Sequence, residues 1–215
     1  MTDGSVNTRR YDSGGRRRAA EARRRAVLDT AVAMVGERGY AATTMAGIAA
    51  AAGVSVEYLY KTFGDKPRLV RQLLDFVLAG DDAPVPVADR AEVQRMIAEP
   101  DPRVVLALYA ARCAEVNGRA AGLLSAMSAG APGDPQLAEV VATAEAQRLA
   151  AATALTADLA GKASLRVSAT DARDVLWTLT APEIWDLTVR RRGWSPERYA
   201  SWLTTVWSAD LLGPV

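Results

Sequence analysis

The segment from Ala49 to Phe63, AAAAGVSVEYLYKTF, narrows the fold more than any other stretch of this 215-residue chain. An alanine run favours helix, glycine interrupts it, and a second helical pattern resumes within about three residues. A joint that short sets two short helices at a steep angle. Gly53 supplies the left-handed backbone that reverses the chain. Ala49 must be small because the second helix crosses close over it, while Ile48, Val54 and Leu59 fill the angle between the two. The outward face then carries Val56, Glu57, Tyr58, Tyr60 and Lys61. A short helix that presents its N-terminal half outward is shaped for the major groove of DNA. The same spacing also describes an ordinary helical hairpin, and Phe63 and one tyrosine are core on either reading.

The rest of the chain reads as helix almost throughout, which makes the fold class all-α. Alternating β-branched runs and Asn-Gly hairpin signals are missing, while Ala, Leu, Arg and Glu dominate. A first helix is expected from about Arg16 to Arg38, stopped at Gly39, with Val27, Ala31, Met34 and Val35 on its inner face. Short helices follow from Met45 to Ala51, with Thr43 or Thr44 as cap, and from Ser55 to near Thr62. A fourth opens at Gly64-Asp65 and runs from Lys66 to about Ala79. The run GDDAPVPVAD is the clearest linker. Beyond it, helices are expected at about 89–98, 102–117, 119–129, 135–160, 170–191 and 196–212, with Pro182 kinking or splitting the penultimate one. This divides the chain into a disordered basic arm (1–15), a helix-turn-helix domain (16–80) and a larger helical domain (81–215).

Charge is unevenly spread. Residues 1–75 hold 13 Lys/Arg against 8 Asp/Glu, and the remainder hold 13 against 17. A basic end points to nucleic acid or an acidic membrane surface as partner. There is no histidine and a single cysteine, Cys113. The commonest general base and metal ligand are therefore missing, and no intrachain disulfide can form. No nucleophile elbow or phosphate-cradling loop is present. The chain reads as a non-enzyme without cofactor or metal. No apolar run is long enough to span a membrane, and no apolar secretory core opens the chain. A cytoplasmic protein is expected.

The run TTMAGIAAAAGVSVEYLYKTFGDKPRLV, preceded by a helix ending in GERGY, resembles the DNA-binding domain of the TetR family of bacterial transcriptional regulators. The likeness covers about residues 20–75. The resemblance implies that Thr44 contacts a phosphate beside the short helix, and that Ser55, Val56, Glu57 and Tyr58 face the groove. It implies that Tyr60, Lys61 and Lys66 grip phosphates, Lys66 from the positive end of the fourth helix. At Val56 and Glu57 the sequence departs from the basic or small residues of many relatives. Glu57 can accept from a cytosine amino group, or repel phosphate and so sharpen register.

The resemblance further implies a repressor that binds a palindromic operator as a homodimer and leaves it on binding a small, mostly apolar effector. In the family the last helices often pair with their copies. Here Leu176, Leu179 and Ile184, then Trp202, Leu203 and Val206, form stripes suited to core or interface. Met96, Tyr109, Arg112, Met127 and Trp177 are the candidate pocket residues, although Arg112 also suits the surface. The eight arginines of RRYDSGGRRRAAEARRR would add a sequence-independent attraction to DNA. The competing reading is a helix-turn-helix DNA-binding scaffold with no small-molecule effector.

Overall fold

A computed structural model describes residues 13–80 and 89–212, and these form ten α-helices and no strand. The N-terminal segment comprises α1 (Ser13–Arg38), α2 (Met45–Ala52), α3 (Val56–Phe63) and α4 (Lys66–Ala79). Then follow α5 (Ala91–Ala98), α6 (Pro102–Gly130), α7 (Pro135–Lys162) and α8 (Ala169–Leu179). A short α9 (Pro182–Trp185) passes into a π-helical turn (Asp186–Arg191), and α10 (Pro196–Leu211) ends the described chain.

Two of these boundaries differ from expectation. Helix α1 already begins at Ser13, inside the segment expected to be disordered; residues 1–12 of that arm and residues 81–88 of the expected linker lie outside the described residues. The two helices expected at 102–117 and 119–129 are one continuous helix of 29 residues. Gly118 does not break it. An added Cβ there would lie 3.7 Å from the indole of Trp185, an ordinary contact distance, so the helix packs on that ring without interruption. The expected 170–191 helix is divided, and Pro182 stands at the division as the first residue of α9.

Capping explains why so many short helices start where they do. Thr44, Ser55, Asp65, Asp101, Asp134, Ser168 and Ser195 each accept a backbone N–H of the first turn that they precede.

The apolar residues gather in two cores. The first holds Val27, Leu28, Ala31 and Val35 of α1, Ile48 and Ala49 of α2, Leu59 and Phe63 of α3, and Leu69, Val70 and Leu73 of α4. It is not confined to these four helices: Leu123 and Met127 of α6 and Leu137 and Val140 of α7 complete it. Helices α1 and α6 approach closely where two glycines meet, since a Cβ added at Gly122 would lie 3.9 Å from the Cα of Gly36. The second core joins α6, α7, α8 and α10 around Leu106, Leu155, Leu176, Tyr199, Leu203 and Trp207. Of the stripe residues, Leu176 and Leu203 are wholly buried there, and Leu179, Ile184 and Trp202 are partly buried against them. Val206 is half-buried as well.

Buried Asn117 ties α6 to this second core by donating Nδ2–H to the Thr180 carbonyl (3.2 Å) and to Tyr199 Oη (3.5 Å). Tyr199 Oη in turn donates to the Leu179 carbonyl at 2.9 Å. The carbonyls exposed by the break before Pro182 are thus occupied rather than orphaned.

Candidate functional site

The turn between α2 and α3 has the geometry its sequence requires. Gly53 sits at φ 65°, ψ 34°, and the Val54 N–H returns to the Ala49 carbonyl at 3.0 Å. Ile48, Ala49, Leu59 and Phe63 are all buried, so one side of each short helix is fixed to the core. The other side of α3 is open: Val56 is 40% and Tyr60 53% exposed, and Ser55, Glu57 and Lys61 are exposed too. Ser55 accepts the Tyr58 N–H at 3.1 Å, and Thr44 accepts the Gly47 N–H at 3.0 Å. Both hydroxyls therefore define helix starts and still lie on the exposed face.

Two of the sequence-selected residues are held more firmly than the rest. Tyr58 leans on the first core and lies under the Arg23 guanidinium, 5.8 Å from the ring centroid. Lys66 is half-buried with its Nζ 3.9 Å above the ring of Tyr40. Burial draws the Lys66 pKa down from its ordinary value, an effect the Asp134 carboxylate opposes. Tyr40 Oη donates to Asp134 Oδ2 at 2.6 Å. Burial and that acceptor push the tyrosine pKa well up, while the bond from Tyr40 and the backbone N–H of Leu137 hold the carboxyl below its usual range. Lys66 at the start of α4 and Asp134 at the cap of α7 thus share one partner.

The arginine run continues on the same side of the molecule. Arg24 stacks over Phe63 (5.4 Å) and donates to Gln72 Oε1 (3.0 Å), and Arg25 stacks over Phe76 (5.6 Å). Sequence reading treats these arginines only as diffuse charge. Their ring contacts tie α1 to α3 and α4, and the aromatic spacing is the signal that could have indicated it.

A cavity of about 560 Å³ lies between the two cores. Helix α4 contributes Asp75, Leu78 and Ala79, α6 contributes Tyr109 to Leu124, α7 contributes Ala144 to Ala151, and the turn at Thr180 and Pro182 closes one end. Tyr109 and Arg112 line it, as the sequence suggested; Met96, Met127 and Trp177 do not. Met127 is wholly buried in the first core and Met96 packs on the second. Trp177 stands behind the wall, stacked 4.3 Å from the Arg148 guanidinium, which does line the cavity and also donates to the Trp177 carbonyl. Arg148, Asn117 and Cys113 were not selected from sequence, because nothing in a helical heptad marks which interior positions border a void. Burial pushes the Cys113 thiol up to about 12 and the Tyr109 phenol well above its ordinary range. Both stay protonated at neutral pH.

Among the described residues no cluster of three or more His, Cys, Asp or Glu is placed to hold a metal. No described helix is long and apolar enough to cross a membrane.

Residues 27–73, which span α1 to α4 almost entirely, match the family model for bacterial regulatory proteins of the tetR family. Residues 27–73 are thus a DNA-binding domain of the tetR type. Solved structures extend the likeness in fold to the whole TetR-like architecture. A protein assigned as a TetR-family transcriptional regulator in Syntrophomonas wolfei superposes with a TM-score of 0.67 at 16% identity, covering 88% of this chain and 95% of its own. The TetR-family transcriptional regulator PfmR of Thermus thermophilus gives 0.60 at 19% identity, covering 89% and 97%. A protein assigned as a transcriptional regulator in Saccharomonospora viridis, solved in complex with choline, gives 0.59 at 18%, covering 89% and 98%. No curated protein matches the chain. The chain therefore joins an N-terminal helix-turn-helix segment of the tetR type to a helical C-terminal region in a TetR-like fold.

Proposed function

We propose that this TetR-family chain is a cytoplasmic homodimeric repressor that reads a palindromic operator and is released from it by a small molecule. The observation that carries the DNA-reading half is the open face of α3, with Val56, Glu57, Tyr60 and Lys61 exposed above a fully buried Leu59. In this reading Ser55, Val56, Glu57 and Tyr58 meet base edges. Thr44, Tyr60, Lys61 and Lys66 hold phosphates and so position the helix without themselves reading sequence. A monomer presents only one such short helix, too small an area for specific affinity at cellular salt, which argues for two copies on a symmetric site.

The release half rests on α4. This 14-residue helix carries Lys66 at the DNA end and Asp75, Leu78 and Ala79 at the cavity. Arg119 of α6 donates Nε–H to the Val77 carbonyl at 3.0 Å, so α6 grips α4 beside the cavity. A ligand that prefers one setting of α4 over another shifts the spacing of the two reading helices; one that binds both settings equally shifts nothing. The Saccharomonospora neighbour was solved with choline bound, which supports a small-molecule site in a fold of this kind.

The test is a selection of duplex DNA on the full-length protein, followed by a compound screen against the bound duplex. The proposal expects a two-fold symmetric site and at least one compound that both binds the protein and frees the DNA. A protein that binds its site but responds to no compound is a scaffold rather than a sensor.

A further inference from the structure

We infer that the cavity between α4, α6 and α7 takes an organic anion: an apolar body bearing a carboxylate that faces Arg112 and Arg148. The inference rests on the reading of this cavity as the effector site.

The lining is divided along its length. Helices α6 and α7 are joined by the short turn at 131–134, so residues near that turn lie at one end and residues remote from it at the other. Leu124 and Ala144, with Leu78 of α4, make the near end apolar. The remote end brings together Tyr109, Arg112 and Arg148.

Both arginines have acidic neighbours, but the pairs are lopsided. The Arg112 side chain is 20% exposed against 46% for Glu92, and Arg148 is 19% exposed against 42% for Glu145. In each pair the cation is the more deeply sunk partner, although Glu145 also borders the cavity. Water can solvate the two carboxylates if they swing away, whereas the guanidiniums have no such recourse. Arg148 already donates to Glu145 and to the Trp177 carbonyl, so the unspent hydrogen-bonding capacity lies mainly with Arg112. Arg112 makes a single contact of 3.4 Å with Glu92, and Arg148 Nε is buried with no acceptor among the described residues. A guanidinium has five N–H donors in a fixed fork that suits a carboxylate. Tyr109 and Cys113 beside the two arginines are protonated, so the negative charge in the lining comes from Glu145, already paired to Arg148, and from Asp75 of α4. An ammonium head would face two embedded cations. A neutral head can accept from them only without the charge assistance a carboxylate supplies.

The experiment is calorimetric titration of the full-length protein with matched probes at pH 7.5. The probes are 2-naphthoate, 2-naphthylmethanol and 2-naphthylmethylamine, with octanoate, octanol and octylamine as a second apolar body. The expected result is a carboxylate at least about tenfold tighter than its alcohol, with the amine weakest, for the body that fits. Arg112→Gln should abolish that preference, bringing the carboxylate to within about twofold of its alcohol. Glu145→Gln should tighten the carboxylate, because it frees Arg148; a merely structural role for the pair predicts no gain. An alcohol or amine that binds as well as the carboxylate overturns the anion while leaving an effector cavity in place. Absence of binding by all six probes up to about 1 mM overturns the anion and the cavity reading together.

Discussion

At the scale of single residues, α3 separates affinity from choice. Tyr60 and Lys61 project from the exposed face, and in the proposed reading they hold phosphates, so Tyr60→Phe and Lys61→Ala should weaken binding to every DNA sequence alike. Lys61→Ala should also lower the salt slope by about 1. Glu57→Ala and Tyr58→Ala should instead change which duplex is preferred. Selection from random DNA checks both, and an unchanged preference in the second pair would remove Glu57 and Tyr58 from the reading role. Cys113 gives a second residue-level prediction. Its thiol, buried and pushed from 9.0 up to about 12, is a poor nucleophile in the folded protein, so maleimide should label it only after unfolding at pH 8. The sign of the linkage follows. The unfolded thiol ionises near pH 9 and the folded one does not, so the contribution of Cys113 is full below pH 9 and is lost as pH rises toward 12. Denaturant midpoints measured across that range should fall less steeply in Cys113→Ala than in the parent.

At the scale of elements, the turn at Gly53 is the most exacting. No side chain would clash there, since nothing lies within 4 Å of an added Cβ, but the backbone is left-handed at φ 65°. Gly53→Val should therefore cost about 1–3 kcal/mol through backbone strain alone, visible in urea denaturation, and should weaken operator binding by misaligning α3. This turn was legible in the sequence because its chemistry is local: one glycine, one capping serine, and small and branched residues at fixed offsets. The same holds for Ser195-Pro196 and for Asp65 with Pro67, which open α10 and α4 where their capping grammar places them. What was not legible depended on contacts far along the chain. The two helices expected at 102–117 and 119–129 left Gly118 as a gap, yet α6 runs through it and packs there against Trp185. Met127 and Trp177 looked like pocket residues by type. Whether a methionine lines a void or fills a core is decided by what α1, α6 and α7 do together, which no local pattern encodes.

At the scale of the whole molecule, the two cores meet along α6, and the cavity lies where α4 enters between them. The DNA-binding core is completed by residues as distant as Leu137 and Val140, so movement of α7 relative to α4 disturbs the reading head directly. The bond from Tyr40 to Asp134 joins the same two parts at the surface. On this account the intact chain sediments as a dimer at micromolar concentration; a species near the 22.8 kDa monomer alone would count heavily against it. The central claim is that α3 reads DNA as one of a symmetric pair. The most direct measurement is selection of random duplexes on the full-length protein at physiological salt, repeated with Glu57→Ala. The account predicts an enriched motif with two-fold symmetry, half-sites about one helical turn apart or a multiple of it, and altered bases within both half-sites for the variant. Retention of DNA without any enriched motif, or a motif identical in the variant, would contradict it.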